Sequence, residues 1–197
     1  MSDFSQSPRQ WSNIEVAQLL ISRTAMTELS LEDSQKIAKL MHTVSIKAKT
    51  VLVQEGTSLN SNYMLLILSG EAVVENVGLK KNDSLILGVV GTGHIVGEMG
   101  LLDGEARSAT CTAFTDMDVA VLDAQALAKL IETEPVTGCK LLAALLQRTS
   151  SRLRATNHKL RMLTQINRAM EQEIISNGTS KASQLPTTTP SDNPLIF

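Results

Sequence analysis

Between residues 45 and 123 the apolar residues arrive in short runs, each closed by a turn signal, and this rhythm limits the fold more than any other feature. The runs are 50–53, 63–69, 71–77, 84–90, 109–113 and 118–122, rich in Val, Leu and Ile. Punctuation falls at Glu55-Gly56, Ser69-Gly70, Asn82-Asp83 and Gly91-Thr92-Gly93. Many short strands between turns predict an antiparallel sandwich or barrel. No long apolar crossover helix interrupts them, which argues against a parallel α/β sheet.

On either side the period becomes helical. Over 11–42, Ile14, Ala17, Leu20 and Ile21, then Ile37, Leu40 and Met41, recur at helical spacing and predict two or three short helices. Ser30, three residues before Asp33, is placed to cap one of them by accepting from the exposed N–H groups of the first turn. Beyond Asp123, residues 124–131 read as a short helix and Pro135 opens another, which runs to about Ile175. Along it Leu146, Thr149, Leu153, Thr156, Leu160, Leu163, Asn167, Met170 and Ile174 fall on an alternating three–four step. That seam predicts a coiled coil and a homodimer across the helix 135–175, with Asn167 fixing the register. The alternative is a long helix laid on its own domain, with the seam as ordinary core. Residues 176–197 are rich in Ser, Thr and Pro and are expected to form a disordered tail.

The formal net charge is -2 and the pI about 5.9, whereas a dedicated nucleic-acid binder more often carries a basic excess. The long helix nevertheless holds Arg148, Arg152, Arg154, His158, Lys159, Arg161 and Arg168, with no acid between Glu134 and Glu171. The plain reading is a solvated face; the sharper ones are a docking stripe for an acidic partner or a potential that helps hold an anion. Cys111 and Cys139 are expected to be buried thiols in a reducing compartment. Residues 1–11 carry no apolar signal core, and runs such as 64–68 and 141–146 fall short of the roughly 20 residues a membrane helix needs. A soluble, cytoplasmic protein is the expectation. His42, His94 and His158 show no metal-ligand spacing, and neither a nucleophile elbow nor a Walker loop is present. No metal, cofactor or enzymatic activity is expected.

One stretch carries chemistry: Gly97-Glu98-Met99-Gly100-Leu101-Leu102-Asp103-Gly104-Glu105-Ala106-Arg107-Ser108-Ala109-Thr110. Its glycines allow close backbone approach, and a turn of helix opening near Gly97 would aim free N–H groups at an anion. Arg107 offers a planar, permanently charged fork for phosphate oxygens, and the Ser108 hydroxyl can donate beside it. Glu98 is misplaced against a phosphate but suits a ribose hydroxyl. Acid and arginine together point to a ligand bearing both a sugar hydroxyl and a phosphate.

The spaced pattern Gly-Glu-x-x-Leu-Leu followed by Arg-Ser-Ala-Thr resembles the phosphate-binding cassette of the cyclic nucleotide-binding domain family, which includes the bacterial catabolite activator protein and the regulatory subunits of protein kinase A. Val53-Gln54-Glu55-Gly56, the strand ending Ile67-Leu68-Ser69-Gly70-Glu71, and Gly91-Thr92-Gly93 agree with it. The resemblance implies an α+β fold, an antiparallel, jelly-roll-like β-roll flanked by N-terminal helices and a long C-terminal dimerisation helix. It divides the chain into an N-terminal helical extension (1–28), the nucleotide-binding roll (29–134), the coiled-coil helix (135–175) and the tail (176–197). It implies that Glu98 accepts from the ribose 2′-hydroxyl and that Arg107 and Ser108 hold the cyclic phosphate beside backbone of Gly97 and Glu98. Met99 and Ala109 complete the ligand-binding set, and Thr156 and Asn157 on the long helix reach the base. Thr156 also lies on the heptad seam. In the catabolite activator branch that helix leads into a DNA-reading helix-turn-helix domain; the polar tail here is too short for one, so no direct DNA binding is expected and an unidentified effector protein is. The ligand is expected to be cAMP ahead of cGMP, with cyclic di-GMP open. The competing reading is a ligand-free dimeric scaffold.

Overall fold

The computed structural model describes residues 4–6, 9–58, 62–77 and 84–182. The chain divides into two compact units, Met1–Thr149 and Ser150–Phe197.

In the first unit the strands are β1 (Phe4–Gln6), β2 (His42–Ile46), β3 (Val51–Val53), β4 (Tyr63–Ser69), β5 (Glu71–Val77), β6 (Ser84–Gly91), β7 (Ile95–Val96), β8 (Thr110–Ala113) and β9 (Met117–Asp123). They form two antiparallel sheets, ordered β1-β2-β9-β4-β7 and β3-β8-β5-β6. Helices α1 (Asn13–Leu20) and α2 (Leu31–Ala38) precede the roll, α3 (Glu98–Asp103) interrupts it, and α4 (Ala124–Thr133) and α5 (Pro135–Ala182) follow. The predicted α+β class and antiparallel roll are what the chain adopts.

Strand β4 explains the layering. Its five central residues, Met64 to Leu68, are all buried. Side chains alternate across a strand, so Met64, Leu66 and Leu68 face the helices, packing in one cluster with Leu20, Ile37, Leu130 and Leu145. Leu65 and Ile67 face the interior of the roll with Leu52, Ala72, Val96, Cys111 and Val119. A strand covered on both sides needs an unbroken apolar run, and each fully buried side chain is worth about 1.5–3 kcal/mol.

Local chemistry sets the helix starts. The Ser30 hydroxyl accepts from the Asp33 N–H at 3.1 Å, as the sequence predicts. At α1, Ser12 and Glu15 form a full capping box that sequence reading passed over. Asp33 is itself buried, and its carboxylate receives Lys140 Nζ at 2.7 Å, Thr137 Oγ1 at 3.1 Å and Ser30 Oγ at 2.6 Å. These bonds fasten the first turns of α5 to α2. Led by the Lys140 contact, they hold the Asp33 carboxyl down at about 2. Farther along, Arg148 Nη1 donates to Thr24 O at 2.7 Å and Nη2 to Ile95 O at 3.3 Å.

Three expectations need amendment. Strand β2 begins at His42, three residues before the strand rhythm of the sequence starts; its mixed sequence His-Thr-Val-Ser-Ile gives little apolar signal, and pairing with β9 fixes it. Cys111 is buried but Cys139 is exposed on the outer face of α5. Helix α5 continues past Ile175 to Ala182, so the first residues assigned to a disordered tail are helical. The rest of that tail, and the Asn82-Asp83 turn, lie outside the described residues.

The second unit continues α5, and every described side chain from 151 to 173 is exposed. Leu153, Leu160, Leu163 and Met170 of the seam are 55–61% exposed. Among the described residues no helix is long and apolar enough to cross a membrane.

Candidate functional site

Three segments of the first unit converge on one guanidinium. The first is the start of β4, where Tyr63 sits. The second is the turn between β7 and α3, where Gly97 takes φ +81° and caps the helix, which Gly104 closes at φ +67°. The third is the extended passage from α3 into β8. There Arg107 N–H donates to Thr57 O at 3.0 Å and accepts at its own carbonyl from Gly56 N–H at 2.9 Å.

With its backbone pinned in this way, Arg107 is only 6% exposed. Nη1 donates to Gly97 O at 2.7 Å and Nη2 to Tyr63 O at 2.9 Å. The guanidinium carbon lies 4.5 Å from the centroid of the Tyr63 ring, which is itself anchored by its hydroxyl donating to Leu52 O at 2.8 Å. Among the described residues Arg107 forms no ion pair within bonding distance. Burial lowers its pKa from the ordinary arginine value, opposed by Tyr63 and by the charges of Glu98 and Asp103. A β-carbon on Gly97 would stand 2.5 Å from Arg107 Nη1 and 3.1 Å from Tyr63 O, so glycine is required twice over, for its backbone angle and for this contact.

Around this centre Glu98 is 2% exposed. Ser108 is exposed, its hydroxyl 3.9 Å from the sulfur of the partly exposed Met99, and Ala109 is half-buried. Asn76 on β5 donates through Nδ2 to Ser108 O at 3.1 Å, while its Oδ1 is buried with no hydrogen-bond partner among the described residues. Thr110 Oγ1 accepts from Glu55 N–H at 3.1 Å. Thus Gly97 and Arg107, and Met99 and Ser108, are brought together as the sequence reading places them. Thr156 and Asn157 belong to the second unit and are exposed. Tyr63 and Asn76 were missed, since both are remote from the cassette in sequence; that Tyr63 is the chain's single tyrosine was the one available hint. A cleft of about 310 Å³ lies elsewhere, lined by Trp11, Glu15, Gln18, Leu19, Leu68 and Thr92, with no cassette residue in its wall.

The family model for the cyclic nucleotide-binding domain matches residues 43–134, which contain the whole of this centre. A solved cyclic nucleotide-binding domain from Methylobacillus flagellatus is 31% identical, over 72% of this chain and 78% of its own, with a TM-score of 0.61. The chain belongs to the cyclic nucleotide-binding domain family. The catabolite activator protein of Thermus thermophilus is 25% identical over 74% of this chain and 63% of its own, at a TM-score of 0.60. The regulatory domain of Toxoplasma gondii protein kinase A, solved with cAMP, is 18% identical over 71% of this chain and 50% of its own, at 0.56, a likeness of fold. None of the curated proteins is matched by sequence. The cassette at 97–110 falls inside the region that the family model matches.

Proposed function

We propose that this protein is a non-catalytic cytoplasmic sensor that binds a cyclic nucleotide, cAMP ahead of cGMP, and passes the signal through a dimeric α5 to an effector protein. The observation that carries the reading is the Arg107 guanidinium, buried against two neutral carbonyls and an aromatic face. A buried cation with no anion bonded to it is costly, and an anionic ligand removes part of that cost. Two of the five guanidinium N–H donors are committed to carbonyls, which leaves three for phosphate oxygens. Ser108 at the exposed rim donates to the same phosphate, beside backbone of Gly97 and Glu98. Glu98 accepts from the ribose 2′-hydroxyl, Met99 and Ala109 pack on the ligand, and Thr156 and Asn157 reach the base. Serine at 108 is compatible with either purine, where threonine would lean towards cGMP. No metal or further cofactor has a part in this.

The exposed apolar seam supports the homodimer: Leu153 and Leu160 lie 60% and 61% exposed on a helix spaced for a coiled coil. Ligand binding shifts the orientation of α5 only to the extent that it favours one arrangement over another. The same seam is what a ligand-free scaffold would display, and the two readings part at the nucleotide.

Isothermal titration with cAMP, cGMP and cyclic di-GMP, with Arg107→Ala beside the wild type, tests this. Removing one partner of a desolvated charge contact costs about 2–5 kcal/mol, so the variant is expected to bind at least thirtyfold more weakly. Equal affinity in the two proteins refutes the site. No binding of any nucleotide to the folded wild type leaves the scaffold.

A further inference from the structure

The basic residues of α5 have an order that the sensor reading does not use. Between Glu134 and Glu171 there are seven Lys and Arg and no Asp or Glu, leaving 11 basic against 20 acidic residues in the rest of the chain. A helix this basic is thus carried by a chain whose remainder is strongly acidic. Arg154, Arg161 and Arg168 recur every seventh residue and are exposed. Seven residues make nearly two full turns, so the three lie on one face about 10.5 Å apart. Each follows a seam residue (Leu153, Leu160, Asn167) by one position, which turns it about 100° away from the seam. The column therefore stays open to solvent whether or not the seam is paired. Its immediate neighbours at three and four residues are Ser, Asn, His, Thr and Gln until Glu171. The one hydrogen bond that any of the three makes among the described side chains is Arg154 Nη2 to Ser151 Oγ, at 3.2 Å. Helices ordinarily relieve such charge with acids at these spacings; this one keeps it.

We propose that this arginine column docks the acidic face of a partner helix. A second helix laid alongside rises at the same 1.5 Å per residue, so carboxylates spaced seven apart on it meet all three arginines in one register. Nucleic acid fits less well. Three nucleotides along one strand cover a similar rise, but the phosphate has by then turned about a third of the way round the duplex, away from a straight column. The acidic remainder of the chain would also repel a long polyanion while tolerating a short acidic segment. The inference gives the effector of the preceding section a surface and a chemistry, and it stands on the column alone, with or without nucleotide.

The test uses the full chain and two labelled synthetic helical peptides of identical composition. One carries Glu at every seventh position of one face; the other distributes the same residues around the helix. Binding is followed by fluorescence anisotropy, with and without cyclic nucleotide. Exposed ion pairs contribute up to about 1 kcal/mol each, so three in register give roughly tenfold or more in affinity. The in-phase peptide is expected to bind at least tenfold tighter than the out-of-phase one. That margin is expected to vanish in the Arg154→Gln, Arg161→Gln, Arg168→Gln variant, with its helicity checked by circular dichroism. Reversal to Glu at the same three positions is expected to transfer binding to a peptide carrying Lys in place of Glu. Equal binding of the two peptides, or failure of the reversal, overturns the proposal. Duplex DNA bound more tightly than the in-phase peptide, and lost in the Gln variant, overturns it in favour of nucleic acid. A protein that binds nucleotide but neither peptide loses this inference and keeps the sensor reading; the opposite result does the reverse.

Discussion

Substituting Gly97 by alanine tests how tightly the cassette is built around Arg107. Two costs add at this position. An L-residue at φ +81° loses about 1–2 kcal/mol to the clash of its β-carbon with the backbone. That β-carbon also lands 2.5 Å from Arg107 Nη1, so the guanidinium must leave Gly97 O. A hydrogen bond to a charged group is worth about 1.5–3 kcal/mol, which brings the total to about 2.5–5 kcal/mol. Gly56 supplies the control: its φ is +78°, yet an added β-carbon meets nothing within 4 Å. Gly56→Ala is therefore expected to cost the backbone term alone, about 1–2 kcal/mol. Urea denaturation followed by the fluorescence of the single tryptophan, Trp11, whose indole N–H donates to Asp118 at 3.0 Å, reports on the first unit. Nucleotide affinity of Gly97→Ala is expected to fall tenfold or more, because the fork is no longer where phosphate meets it. Equal destabilisation by the two alanines would refute the reasoning, since it would mean that Arg107 is free to move aside without loss.

Two further outcomes are expected. Asp33 has a folded pKa of about 2, below its unfolded value of about 3.9, so its contribution is full above pH 4 and is lost as the pH falls through 2. A lowering of this size is worth at most about 2.5 kcal/mol, and Lys140 is half exposed, which reduces it to about 1–2 kcal/mol. Asp33→Asn is expected to be less stable than wild type by that amount in urea at pH 7, with the gap closing between pH 4 and 2; a gap constant over that range would contradict the ion-pair origin. Leu153→Asn combined with Leu160→Asn is expected to convert a dimer to a monomer in sedimentation velocity, and a monomeric wild type under the same conditions would defeat the coiled-coil reading.

Much of the architecture was legible because its signals are local. The continuous run in β4 and the turn glycines mark strands wherever they occur, and Ser30 caps α2 whatever the rest of the chain does. What escaped depends on partners distant in sequence. Strand β2 is defined by its ladder to β9, some 75 residues on, and β7 is two residues long. The cassette spacing placed Gly97 and Arg107 together, yet neither Tyr63 nor Asn76 could be joined to them by spacing. Tyr63 becomes part of the centre only when β4 pairs with β7 and aims its carbonyl at the Arg107 fork. Cys139 departs from the burial habit of a free cysteine because it falls on an exposed position of α5, beside Lys140.

The pairing of β4 with β9 also has a bearing on how the chain is made. Leu65 lies opposite Val121 and Ile67 opposite Val119, so the most apolar strand of the protein waits for a partner synthesised over 50 residues later. At 5–20 residues per second that interval is roughly 3–11 s, long compared with hairpin formation in microseconds. During it, β4 can pack on the helices already present and pair with β7 once residue 96 is made, but the edge that β9 takes stays bare. Nascent chains halted before residue 117 are therefore the aggregation-prone species, and a chaperone acting on this protein has its main work in that window.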